Sequence, residues 1–327
     1  MKREVRVEDA VGLVLAHDLT KIVPGEFKGR LFSKGHIIEE ADIEALLAIG
    51  KERVYVLELE EGQVHEDDAA ALMAHLVHHD SLVPGVAHEG KVQVKAAYDG
   101  LLRVSVSLLE AINTLDELAI ATKRTHVPVK EGDLVASLKA IPLVVAASEL
   151  EEMRKMVTLS DAPLLEVLPY RHVKAGIVTT GSEVFKGRIA DRFGPVLKER
   201  LAKYPVTLVD QVIVDDDREQ IQAAIRTFLQ DGVDLVLVTG GMSVDPDDRS
   251  PGAIREVAVN VVKYGMPILP GAMTMLAYHH DAVIMGLPGG VIYDSYTAFD
   301  VLLPQILAGL RPAKQDIAAL AHGGLLT

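Results

Sequence analysis

The sequence predicts an α/β protein in which residues 170–312 form a three-layer, doubly wound domain on a mostly parallel sheet, preceded by smaller α+β regions. Three observations carry that expectation. After about residue 170 the hydrophobic pattern runs strand, loop, helix in repeated order, which calls for parallel pairing with right-handed crossovers. Hydrophobic residues make up 49% of the chain and aromatics 4%, with no Trp, an aliphatic composition suited to strands buried on both faces. Three of the strands end abruptly in glycine-bearing loops, and in open α/β sheets ligands lie outside the carboxyl ends of strands.

The chain has 327 residues, more than the ~250 at which a single core stops growing, so more than one core is expected. Residues 1–60 read as a small α+β unit: a strand over 13–19, a turn at Pro24-Gly25, and Lys34-Gly35-His36-Ile37-Ile38 leading into a helix from Glu40. That helix carries Ile43, Leu46 and Leu47 at helical spacing before a Gly50 stop, and a short strand follows over 53–59. Residues 61–165 read as an α+β middle region of open role, with a helix through Leu72 and Leu76 and a hairpin turning at Tyr98-Asp99-Gly100. Further along come a helix over 107–121, a strand over 141–147 and a charged helix over 149–155. Pro163 and Pro169 bracket a linker. In the domain that follows, strands are expected over 173–178, 206–214, 235–238 and 282–285, with helices over 189–201, 217–229 and 293–307. Residues 313–327 read as a tail.

A net charge of −14 with no block of Lys and Arg argues against nucleic acid, because phosphate contacts need clustered cations. Without cysteine, neither disulfides nor thiolate chemistry enters, and any metal must take oxygen or imidazole ligands. The opening residues lack the apolar stretch of a signal peptide, and no apolar run approaches the ~18 residues of a bilayer span, so a soluble cytoplasmic protein with no membrane partner is expected.

The chemistry concentrates in the strand-end loops: Thr179-Thr180-Gly181-Ser182-Glu183, Thr239-Gly240-Gly241-Met242-Ser243 and Gly286-Leu287-Pro288-Gly289-Gly290. Glycine lets backbone N–H groups approach an anion, and neighbouring hydroxyls add donors, so phosphate can be held without a strong positive field. A single glycine pair after a buried strand is often only a tight turn; three converging ones mark a site. Val244-Asp245-Pro246-Asp247-Asp248 follows the second loop, and carboxylates beside phosphate suit a bridging Mg²⁺, with Asp248 and Glu183 as candidates. The same acids also serve as helix caps or solvated loop residues.

This ordered set, with Leu269-Pro270-Gly271, resembles the molybdopterin-binding domain family, and more narrowly its molybdopterin molybdenumtransferase branch, which includes the E domain of gephyrin. The resemblance covers about residues 173–310, and Ser243 favours that branch over the adenylyltransferases, whose second loop reads Thr-Gly-Gly-Thr-Gly. It implies that Thr180, Gly181, Ser182, Thr239, Gly240, Gly241, Ser243, Pro288 and Gly289 bind molybdopterin or its adenylated form, and that Glu183 and Asp248 help deliver molybdate with Mg²⁺. It also implies a homo-oligomer, a dimer first. Where the transferases carry Lys-Pro-Gly-Lys-Pro, this chain has Leu269-Pro270-Gly271-Ala272-Met273, two cations fewer.

Two rival readings stay open beside molybdate insertion: a carrier or sensor that binds the pterin without turnover, and a nucleotide pyrophosphatase resembling the competence-damage family. His75, His78 and His79 at i, i+3 and i+4, with His65 and His88 nearby, read as a polar helix face rather than a metal site, and no histidine is assigned a catalytic role.

Overall fold

The computed structural model describes residues 2–23, 27–57, 59–243 and 248–326. The expected turn at Pro24-Gly25 and residues 244–247 of the acidic loop lie outside them. The chain divides into two compact units, the first made of Met1–Tyr98, Leu102–Thr125 and Val129–Val167, the second of Leu168–Thr327 with Asp99–Leu101 and His126–Pro128.

In the first unit, strands Lys2–Arg6, Arg53–Leu57 and Val14–Leu15 form a small antiparallel sheet with Arg53–Leu57 in the middle. Val7, Leu15, Ile38, Leu46, Val54 and Val56 form its core, to which helix Asp42–Ala48 contributes Leu46. A second antiparallel sheet runs in the order Leu118–Thr122, Leu134–Ala140, Lys91–Ala96, Leu82–Pro84, with helix Glu66–Leu76 packed on it.

Several expectations for this half need correction. The strand expected over 13–19 is split into Val14–Leu15 and Leu19–Val23. No hairpin joins Lys91–Ala96 to Gly100–Val104, because Lys91–Ala96 takes its partners from Leu134–Ala140 and Leu82–Pro84. The helix expected over 107–121 stops at Ile112, where the Asn113 side chain bonds the Leu109 and Ile120 carbonyls. Leu118 and Ile120 are then buried in alternation, the period of a strand rather than a helix. Of the three neighbouring histidines only His75 is helical; His79 bonds Ser81 Oγ at 2.7 Å, and His65 accepts from Asp67 N as the N-cap. Between Pro163 and Pro169 the chain forms the strand Leu165–Pro169, with Leu165 and Val167 buried.

The second unit is a three-layer α/β fold. Its strands, numbered within the unit, are β1 (Val173–Thr180), β2 (Val206–Val214), β3 (Leu235–Thr239), β4 (Asn260–Tyr264), β5 (Met275–His279) and β6 (Ala282–Leu287), in the spatial order β2-β1-β3-β6-β5-β4. The first four in space are parallel, and the β5 and β4 edge is antiparallel. β3 shows why the sheet is buried on both sides: Leu235 and Leu237 enter one core, Val236 and Val238 the other. Helices α1 (Phe193–Leu201) and α4 (Ala298–Leu307) cover the first face, α2 (Arg218–Gln230) and α3 (Ser250–Val257) the second. Gly176 in β1 lets the Phe228 ring of α2 lie directly on the sheet, since a Cβ there would stand 2.7 Å from it.

Antiparallel β4 and β5 were not expected, and His279 is the last residue of β5. Met275 and Ala277 face one core and Leu276 and Tyr278 the other, a two-residue period, and His280 turns the chain at φ +52°. The helix expected over 189–201 begins only at Phe193, because the Asp191 carboxylate accepts from Phe193 N and Gly194 N and so sets its start. Residues 314–319 of the expected tail are helical, and beyond them Leu269 N donates to the Gly324 carbonyl and Leu326 N to the Leu269 carbonyl.

Candidate functional site

Among the parallel strands, the chain reverses its direction across the sheet at β1. From β1 the chain moves to β2 on one side, then crosses to β3 on the other, with α1 and α2 on opposite faces. The switch point, where a doubly wound sheet opens a crevice, therefore lies between the carboxyl ends of β1 and β3. The register lines up four loops there: Thr180 pairs Val214, Thr179 pairs Thr239, and Thr239 pairs Leu287. Gly181, Asp215, Gly240 and Pro288 consequently leave the sheet side by side.

The centre is a tight contact between the first two loops. Gly240 has φ +87°, and a Cβ on it would lie 2.2 Å from the Thr180 carbonyl oxygen, so no other residue fits. Buried Ser250, at the start of α3, donates to the Gly240 carbonyl at 2.7 Å and lies 3.4 Å from Thr180 Oγ1. Gly241, φ +52°, has Asp248 Oδ1 3.5 Å from where its Cβ would stand. Thr180, Gly240, Gly241 and Asp248 are thus brought together. Beneath them Thr239 Oγ1 donates to Thr179 Oγ1 at 3.4 Å, and Gln211 Nε2 donates to the same oxygen at 3.0 Å and to Asp191 at 2.6 Å. Met242 turns inward, its Cε 2.4 Å from where a Gly286 Cβ would be, and plugs the core below the loop.

Ser182 is engaged elsewhere. Its N–H donates to Asp216 Oδ2 at 2.8 Å and its hydroxyl donates to Asp215, with Lys186 Nζ 3.6 Å from Asp215. The Ser182 hydroxyl, with the Asp216 N–H, holds the Asp215 carboxyl below the usual aspartate range. Ser243 is exposed; its carbonyl and that of Met242 accept from Tyr264 Oη at 3.1 and 2.8 Å. Burial, and then Asp248, push the Tyr264 phenol up. Glu183 is exposed on the turn after Gly181. Gly289 faces open space, and Pro288 accepts from Val291 N. Among the described residues no group of three or more His, Asp or Glu is placed to hold a metal ion.

Two features of the site were not anticipated. One is the pair Asp215 and Asp216. The other is Arg200 of α1, buried at 7% exposure, which donates to Asp300 at 2.6 Å, to the Val291 carbonyl at 2.8 Å and to the Asp294 carbonyl. It ties the segment after Pro288-Gly289 to the capping box of Thr297 and Asp300 at the start of α4.

The arrangement defines a doubly wound α/β domain with a hydroxyl- and glycine-lined crevice at its switch point, a class suited to phosphorylated small molecules. Residues 176–308 match the family described as "Probable molybdopterin binding domain". Residues 4–58 match a separate family, "Domain of unknown function (DUF8806)". The chain is 24% identical over 234 residues to a molybdopterin molybdenumtransferase of Synechococcus elongatus, covering 66% of this chain and 55% of that one. It is 41% identical over 93 residues to a CinA-like protein of Mycobacterium leprae, covering 27% and 22%. Among solved structures, the molybdopterin biosynthesis enzyme MoaB of Thermus thermophilus aligns with a TM-score of 0.37 at 23% identity, covering 43% of this chain and 98% of that one. The chain thus spans about half the length of the transferase and about a fifth of the CinA-like protein. No helix among the described residues is long and apolar enough to cross a membrane.

Proposed function

We propose that the crevice between β1 and β3 binds molybdopterin or its adenylate and that the protein works in molybdenum cofactor biosynthesis as a molybdenumtransferase-like enzyme. The observation that carries this reading is the meeting of Thr180, Gly240 and Gly241 at the switch point, within the span matched to the molybdopterin-binding family. Thr180, Gly181, Gly240 and Gly241 supply hydroxyl and backbone N–H groups for the ligand's phosphates, with Thr239 packed beneath them and Ser182 fixing the first loop, and Pro288 and Gly289 border the adjoining space. Because residues 269–273 lack lysines, phosphate recognition rests on these neutral donors.

Mg²⁺ fits this donor set in its usual manner, with one or two carboxylates and the ligand's own phosphates as ligands. Asp248, beside Gly241, would be the first of these and Glu183 the second, and a bound ion would supply charge neutralisation. Asp215 and Asp216 hold Ser182 in place and so orient the loop after β1.

The 41% identity to CinA-like proteins supports a second reading, hydrolysis of a nucleotide pyrophosphate at the same loops. Titration with adenylated molybdopterin, followed by molybdate and Mg²⁺, separates the two. Pterin binding with release of AMP supports the transferase, binding without release supports a carrier, and release of a nucleoside monophosphate from a dinucleotide without pterin supports the pyrophosphatase.

A further inference from the structure

A cavity of about 540 Å³ lies beside the third loop of the second unit, lined by Pro270, Asp294, Ser295, Tyr296, Leu325 and Leu326, and its size suits a small molecule. Three chain segments build it, and backbone bonds fix each of them. Leu269 pairs with Leu325 as a parallel bridge, its N–H donating to the Gly324 carbonyl and its carbonyl accepting from Leu326 N. The Pro270 carbonyl accepts from Ala298 N at 3.1 Å. Gly271, φ +109°, lets this loop lie on the start of α4, since a Cβ there would stand 2.7 Å from Ala298 N. Arg200 holds the Asp294 carbonyl. A Cβ on Gly290 would stand 3.2 Å from Asp294 Oδ2, so the carboxylate lies against the glycines of the third loop.

The polar groups of this cavity are left over from folding. Asp294 is half-buried, yet its carboxylate has no hydrogen bond or ion pair among the described residues, and the Ser295 and Tyr296 hydroxyls have no hydrogen bond. The other walls, Pro270, Leu325 and Leu326, are apolar, with Leu325 73% and Tyr296 48% exposed. A flat ring stacks on such walls, and its edge has to offer N–H donors to the carboxylate and an acceptor to a hydroxyl. The edge of a 2-amino-4-oxopyrimidine ring does both: its amino and ring N–H groups stand side by side for two carboxylate oxygens, and its carbonyl oxygen comes next. Pterins and guanine share that edge. Adenine does not, because a ring nitrogen with a lone pair stands beside its amino group and faces a carboxylate oxygen.

We propose that this cavity receives the 2-amino-4-oxopyrimidine ring of the ligand, pterin or guanine, with Asp294 accepting its two N–H groups. The proposal rests on the reading of the strand-end loops as the phosphate cradle, and it adds the group that selects the ring. In adenylated molybdopterin the pterin end then lies at Asp294, where adenine is rejected.

The test is calorimetric titration of the full chain and of Asp294→Asn with hydroxymethylpterin, guanosine monophosphate and AMP. Wild type is expected to bind the pterin, the guanine nucleotide or both at least about tenfold more tightly than AMP. Asp294→Asn keeps the shape of the side chain but turns an amide N–H toward a ring N–H. It is expected to lose at least about tenfold for the preferred ligand and nothing for AMP, with an unchanged melting temperature. Pterin binding alone assigns the cavity to pterins, and guanine-nucleotide binding alone assigns it to nucleotides. Binding of neither ring by wild type, AMP bound as tightly as the better of them, or equal binding by Asp294→Asn overturns the proposal. An Asp294-dependent preference without AMP release from adenylated molybdopterin leaves the ring site standing and removes the transferase, whereas AMP release that Asp294→Asn does not alter removes the ring site alone.

Discussion

Gly240 is the residue on which the meeting of the first two loops depends. Its left-handed backbone and the 2.2 Å approach of the Thr180 carbonyl leave no space for a methyl group. Gly240→Ala is expected to cost more than about 1 kcal/mol in chemical denaturation and to weaken pterin binding at least about tenfold. Ser250→Ala leaves the Gly240 carbonyl without its 2.7 Å donor and should cost about 1–3 kcal/mol by the same measurement. Asp215 makes a prediction about pH. Its folded pKa is lowered, chiefly by the Ser182 hydroxyl, so its contribution is present above the unfolded value and is lost as pH falls through the folded one. A carboxyl ¹³C titration should place its midpoint below about 3.9, with the Ser182 contact intact at neutral pH; a midpoint above that value contradicts the contact.

At the scale of elements, Arg200 is the test of how the third loop is held. Removing a buried guanidinium that joins Asp300, the Val291 carbonyl and the Asp294 carbonyl takes this donor from both carbonyls and leaves Asp300 largely buried with only its Thr297 bonds. Arg200→Ala should cost about 3–5 kcal/mol, a fall in melting temperature on the order of 10 °C. Arg200→Lys should recover only part of it, because an ammonium cannot reach the same set of acceptors in one plane. The sequence showed none of this, since a cation on an amphipathic helix ordinarily faces water. Asp215 and Asp216 were hidden for a similar reason: Val-Asp-Asp-Asp-Arg reads as the acidic start of α2, and only Asp217 caps it, through Gln220 N. The parallel strands were legible because their residues are apolar on both faces and their glycines stand at the ends. β4 and β5 were not, because a buried antiparallel strand such as Met275–His279 is short and apolar without punctuation. In the first unit, Leu115 and Leu118 continued a helical spacing by coincidence past the Asn113 stop.

At the scale of the whole molecule, the sequence pointed to the second unit's site more clearly than to the first unit's role. Glycine and threonine at strand ends mark the candidate site, whereas the middle sheet and its helix carry the regular periodicity of packed elements. The −14 net charge fits the proposal that phosphate is held by backbone and hydroxyl donors rather than by a cationic field. On the proposed role of Mg²⁺, Asp248→Asn should make ligand affinity insensitive to added Mg²⁺, while wild type binds more tightly as Mg²⁺ rises, both read by calorimetric titration.

Whether the crevice binds the pterin is decided by titrating the full chain and its Gly240→Ala variant with adenylated molybdopterin in the presence of Mg²⁺. The account predicts saturable binding by the wild type, at least about tenfold weaker binding by the variant, and AMP release when molybdate is added. An absence of pterin binding by the folded wild-type protein, or equal binding by both proteins, would contradict it.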